Sequence, residues 1–258
     1  MVHTWLSLPL PALILVLAVF YSLSGAILVR ISFWATAGYW LQSFRGVVAP
    51  FVAAVVAIFG ILIGFLASDI WDRNRRAAVA VRTEAASLVS LHALSSALGS
   101  PHFAIDRAIR AYTAAVLNKE WPRMQDGEAS AEAEEAQDNL LRVVAQSDFT
   151  AGHEGLGRLL LESALKVREA RNDRLAFSSD FGEGPKWACV LLMALLGQIS
   201  VATVHLNEAR AQAAAMVIFT TSIILVIGLL ASHEAPFQPP LGVSPDPIAR
   251  ILDLVPDA

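Results

Sequence analysis

Charge is scarce in this sequence. Only 16% of its 258 residues are Asp, Glu, Lys or Arg, and 55% are hydrophobic. Soluble domains carry about 25% charged residues, so this composition calls for lipid rather than water as the main solvent. A basic excess is lacking too: the net charge is −4, which excludes the electrostatic footprint of a nucleic-acid partner. One cysteine, Cys189, leaves no intrachain disulfide to form. The six histidines fall into no HExxH or comparable spacing, and GxGxxG, Walker and GxSxG motifs are missing. Neither a metal, a cofactor nor an enzymatic centre is expected.

Charge is missing altogether from four windows, residues 1–29, 46–68, 187–207 and 211–233. Each exceeds the roughly 20 residues that a helix rising about 1.5 Å per residue needs to cross about 30 Å of hydrocarbon. Four transmembrane helices are expected. The apolar stretch from Trp5 to Val29 is too long for a signal-peptide core of roughly 7 to 15 residues, so it reads as an uncleaved first span, started or bent by Pro9 and Pro11.

Cations set the orientation. Arg73, Arg75, Arg76 and Arg82 open the long connection between spans two and three, and Lys166, Arg168, Arg171, Arg174 and Lys186 close it. The short loops offer only Arg30 and Arg45, and Arg210. By the positive-inside tendency the long connection is cytoplasmic, as are both termini. The expected organisation is all-α: residues 1–69 hold spans one and two, 70–186 a cytoplasmic helical domain, 187–233 spans three and four, and 234–258 a Pro-rich cytoplasmic tail with a short helix.

Within 70–186 the apolar residues recur at helical spacing. Val81, Ala85, Leu88, Val89 and Leu91 mark one helix, stopped by Gly99-Ser100-Pro101. Phe103, Ile105, Ile109, Tyr112 and Val116 mark a second, from Pro101 to Asn118, and EWPRMQDG at 120–127 reads as a turn. Alanine and glutamate between Ala129 and Ala145 suggest a solvated helix. Past a bend at Gly152, Gly155 and Gly157, a further helix carries Leu159, Leu160, Leu165 and Val167. On it Arg168, Arg171 and Arg174 are interleaved with Glu169 and Asp173, the pattern of a solvated, salt-bridged face that could otherwise meet an anion. In the tail, Ser244 can cap a short helix from Pro245 whose Ile248, Ile251, Leu252 and Val255 form an apolar edge.

The stretch GFLASDIWDRNRRAAVAVRTEAASL, residues 64–88, passes from apolar to charged without a Gly or Pro to break it. A single helix leaving the bilayer explains this, with arginines marking the boundary. Asp69 and Arg73, four apart, can pair there and reduce the penalty on an interfacial carboxylate.

That block, the EWPRM turn, REARNDRL at 168–175 and PFQPPLGVSPDP at 236–247 together resemble the bestrophin-like domain family of bacterial membrane proteins, and more distantly the bestrophin anion channels. No acidic calcium clasp accompanies them. The resemblance implies a homo-oligomer in the bacterial inner membrane. It also implies an apolar pore constriction on span two at i, i+4 and i+8, which falls on Ala57, Ile61 and Phe65. These three share a helix face. Beside them run Gly60, Gly64 and Ser68, a small-xxx-small surface for helix packing. In span three Gln198 is costly in lipid and should face another helix or a water-filled path, whereas Thr220, Thr221 and Ser222 can bond their own helix. Two functions fit: a homo-oligomeric channel passing anions, and a non-conducting scaffold whose cytoplasmic helices bind another protein.

Overall fold

The computed structural model describes residues 8–33, 49–97, 102–146, 154–179, 184–206, 208–239 and 241–255. The stop at Gly99-Ser100-Pro101, Arg45 and Gly152 lie outside the described residues. Those that are described form helices and turns, with no strand among them. The chain divides into two compact units, Met1–Trp71 with Gly182–Glu234, and Asp72–Phe181 with Ala235–Ala258.

The first unit contains α1 (Leu10–Ser32), the N-terminal part of α2 (Ala49–Ser96), α7 (Gly184–Val204) and α8 (Ala209–Ala231), each with a segment long and apolar enough to cross a membrane. Pro9 caps α1 and Pro11 occupies its first turn, where no backbone N–H is needed, so the prolines start the helix rather than bend it. Leu13, Leu17 and Tyr21 of α1 pack with Phe59, Leu66 and Ile70 of α2, Trp187 and Val190 of α7, and Ile223 and Ile227 of α8. In lipid this packing has little hydrophobic drive, so close fit and interhelical hydrogen bonds must hold it. Gly197 shows how close the fit is: a Cβ there would lie 2.6 Å from the Phe219 ring.

Helix α2 is a single element of 48 residues, about 72 Å long at about 1.5 Å per residue. It runs unbroken through Asp69, Arg73 and Arg76, as the absence of Gly and Pro predicts.

The second unit is a helical bundle built on alternating spacings of three and four. On α2 the inward residues are Ala77, Val81, Glu84, Leu88, Leu91 and Ser95. On α3 (His102–Ala115) they are Ile105, Ile109 and Tyr112. On α5 (Ala131–Gln146) they are Ala133, Gln137, Leu140 and Val144, and on α6 (Glu154–Ser179) Leu160, Ala164, Val167, Arg171, Arg174 and Ser178. This is the spacing of left-handed helix packing. Two apolar residues expected inside, Phe103 and Val89, are exposed. Helix α5 is not solvated all round, because the four residues just named bury one face. Gly155 and Gly157 lie within α6 rather than in a bend before it.

EWPRM is not a turn. A π-helical segment, Val116–Glu120, continues α3, and α4 (Trp121–Met124) follows directly. Pro122 is accepted because it sits in the first turn of α4. The chain reverses instead at Gly127, whose φ of 76° suits a residue without a Cβ. The tail docks on the same unit through Phe237, Ile248, Ile251 and Val255. Its short helices α9 (Asp246–Ala249) and α10 (Ile251–Leu254) are held by Arg110, which donates to the carbonyls of Leu252 at 3.0 Å and Val255 at 2.7 Å.

Candidate functional site

Two regions concentrate chemistry: the outward face of α2 in the first unit and a buried charged layer in the second. Along α2, Ala57, Ile61 and Phe65 all face outward, Ile61 at 61% and Phe65 at 72% exposure. Gly60, Gly64 and Ser68 are exposed as well, and a Cβ on either glycine would meet nothing within 4 Å. The side of α2 that packs within the chain is the opposite one, through Phe59, Leu66, Ala67 and Ile70. A continuous line of small and apolar residues is thereby left for lipid or a neighbouring chain.

One turn beyond Phe65 the line reaches Asp69. Its carboxylate accepts from Lys186 of α7, Nζ to Oδ2 at 3.0 Å. Asp72 takes the next two arginines, Arg75 at 2.5 Å and Arg76 at 2.6 Å. The Arg75 hydrogen bond is the main reason its carboxyl lies below the usual range.

Gln198 is fully buried and fully bonded. Its amide nitrogen donates to the Tyr21 carbonyl at 2.9 Å and to Thr220 Oγ1 at 2.8 Å, while its oxygen accepts from Ser24 at 2.6 Å. Thr220 therefore serves α7 rather than only its own helix. Gln212 makes a second tie of the same kind, donating to Ser32 Oγ at 3.1 Å and the Ala202 carbonyl at 2.7 Å. Each glutamine joins α1, α7 and α8. The signal for Gln212 was available, since a glutamine one turn into an apolar helix has the same need of partners as Gln198.

The charged layer overturns the solvated reading of the α6 arginines. Arg168 is exposed, but Arg171 and Arg174 are buried with Glu84 and Glu120. Arg174 donates to Glu84 Oε2 at 2.6 Å and Oε1 at 3.1 Å, to Glu120 Oε1 at 2.9 Å and to the Met124 sulfur at 2.7 Å. The Trp121 ring covers its guanidinium at 5.6 Å. Arg171 binds the Glu120 carboxylate through Nε and Nη2 and reaches Gln137 Oε1 at 3.1 Å. Tyr112 donates to Glu84 at 2.6 Å. Burial works against the Arg174 charge, yet the adjoining carboxylates outweigh it and its pKa rises. Two carboxylates and two guanidiniums balance, so the layer is neutral and closed on itself, suited to fixing helix register. Within this layer, the polar atom without a partner among the described residues is Gln137 Nε2.

Nucleophilic and metal chemistry find little support. Ser95 donates to Asp106 and the His92 carbonyl rather than to the His92 ring, which itself meets Asp106 at 2.8 Å, so no imidazole faces the hydroxyl. Among the described residues no three His, Cys, Asp or Glu converge as a metal site requires.

The fold thus defines an all-helical protein with four helices long and apolar enough to span a membrane. The profile of the Bestrophin-like domain matches residues 17–248, nearly the whole chain, and the protein belongs to that family. It is not a family of enzymes. No curated protein and no solved structure matches the chain.

Proposed function

We propose that this protein is a homo-oligomeric channel of the bacterial inner membrane that passes anions, with Ala57, Ile61 and Phe65 forming its apolar neck. The observation that carries the reading is the outward face of α2. Phe65 is 72% exposed at the end of a four-residue repeat, and nothing lies within 4 Å of a Cβ at Gly60 or Gly64. Small residues let a second helix come close, whereas a face meant only for lipid would have no use for them. An apolar ring of side chains is a constriction that gates by dewetting. The cations near the span ends favour residues 70–186 and both termini on the cytoplasmic side, by the positive-inside tendency. Single-channel recording in planar bilayers tests the function: Phe65→Ala is expected to change the current, and silent bilayers from well-folded oligomers overturn it. For the sidedness, a cysteine replacing Arg76 is expected to react only with reagent on the cytoplasmic side.

A non-conducting scaffold is the second reading, favoured by Leu161 and Leu165, exposed one turn apart on α6. Co-purification of a stoichiometric protein that is lost on Leu161→Glu/Leu165→Glu would support it.

A further inference from the structure

In the first unit a groove of about 400 Å³ lies between α1 and α8. Its volume falls in the range of small-molecule sites, roughly 300 to 1,000 Å³. Gly25, Ala26 and Val29 form one wall, and Ala213, Val217 and Ile224 the other. Gly25 lets α1 and α8 approach closely at its floor: a Cβ there would stand 3.1 Å from Met216. Both walls belong to helices long and apolar enough to cross a membrane, so the molecules that meet the groove are those dissolved in the bilayer.

Two features set this groove apart from a plain apolar surface. Arg30 lines it at one end. It lies two turns from Ser22, about 12 Å along the helix axis at about 1.5 Å per residue. On α8 the exposed Arg210 sits three residues before Ala213, on the face that forms the opposite wall. The Ser32–Gln212 hydrogen bond, 3.1 Å, ties these ends of the two helices together, with Arg30 and Arg210 each two residues from it. Glu208, two residues before Arg210, is the extended N-cap of α8 and is exposed. Deeper in, the groove is lined by Ser22 and Thr221, whose hydroxyls find no partner among the described residues. An unmet hydroxyl facing hydrocarbon is unfavourable, and an ester oxygen would accept from it.

We propose that this groove binds an anionic phospholipid, with one acyl chain along Gly25, Ala26, Val217 and Ile224 and the phosphate between Arg30 and Arg210. A soluble anion would use the arginines but leave the long apolar trough empty, and a zwitterionic lipid would set its own cation against them. The anionic lipid satisfies both ends.

The full chain, stripped of lipid in detergent and offered equimolar phosphatidylglycerol and phosphatidylcholine, tests this by native mass spectrometry. Phosphatidylglycerol is expected to be retained about thirtyfold in preference, the size that two interfacial arginines at about 1 kcal/mol each support. Arg30→Gln/Arg210→Gln should bring the ratio near one. Ala26→Trp and, separately, Val217→Trp should fill the trough and remove the retained lipid of either kind. Equal retention of the two lipids by the unaltered chain, or unchanged retention in the arginine variant or in both tryptophan variants, overturns the site. So does efficient crosslinking between copies from a photoreactive residue at Val217 in phosphatidylglycerol liposomes, which would make a second copy the occupant.

Discussion

Arg174 of α6 and Glu84 of α2, ninety residues apart in sequence, meet with both side chains wholly buried, Nε to Oε2 at 2.6 Å and Nη2 to Oε1 at 3.1 Å. Removing one partner strands the other charge away from water. Arg174→Met is therefore expected to destabilise the protein by about 3 to 5 kcal/mol, and Glu84→Leu/Arg174→Met by clearly less than the sum of the single changes. Unfolding of the full chain in mixed micelles, followed by circular dichroism, gives the double-mutant cycle. Additive losses would show that the two groups do not act as a pair.

Tyr112 makes stability depend on alkaline pH. Burial first, and then the Glu84 charge, raise its phenol well above the usual 10.0. The unfolded chain loses that proton near pH 10, while the folded chain keeps it. The contribution of Tyr112 is thus complete below about pH 10 and falls away as pH rises through the folded value. Tyr112→Phe should flatten the alkaline limb of the stability profile. At neutral pH it should cost about 1 to 3 kcal/mol, because Glu84 loses a donor. An unchanged alkaline slope would remove Tyr112 from the account.

Gln198 joins three helices through groups that have no water to turn to. Gln198→Leu is expected to cost about 1 to 2 kcal/mol, the upper part of the range for interhelical hydrogen bonds in membranes. Steric-trap unfolding in bicelles would measure it. A neutral result would mean that Ser24 and Thr220 re-pair locally.

Gly197 and Gly64 should answer the same substitution differently. At Gly197 the new methyl would collide with Phe219, so Gly197→Ala should lose about 1 to 3 kcal/mol, and Phe219→Leu should recover part of it. At Gly64 nothing lies within 4 Å, so Gly64→Ala should leave the stability of a single chain within about 0.5 kcal/mol. A marked effect of Gly64→Ala on oligomer yield alone would report a neighbouring chain at that seam.

The helices were largely legible from their residues. The four charge-free windows coincide with α1, the start of α2, α7 and α8, because a span in lipid must be apolar over its full length whatever it packs against. The continuity of α2 past the charge boundary followed from the absence of Gly and Pro between Phe65 and Ser96. EWPRM misled because Pro reads as a stop, although it is tolerated in a first turn, and the π segment before it has no sequence signature of its own. The arginines of α6 misled for a similar reason. Glu169 and Asp173 suggested a solvated face, but Arg171 and Arg174 continue the spacing of Leu160, Ala164 and Val167 and so point inward. Had that spacing been weighed above charge, Glu84, which likewise continues the line of Ala77 and Val81, would have stood out as the natural partner.

Local composition, then, settled which segments are long and apolar enough to cross a membrane and which are helical, since hydropathy and the spacing of Gly and Pro act within a few residues of the chain. The identity of each polar side chain's partner was decided elsewhere. Lys186 for Asp69, Glu84 for Arg174 and Thr220 for Gln198 sit on other helices, and pairing across that separation is set by how whole helices pack.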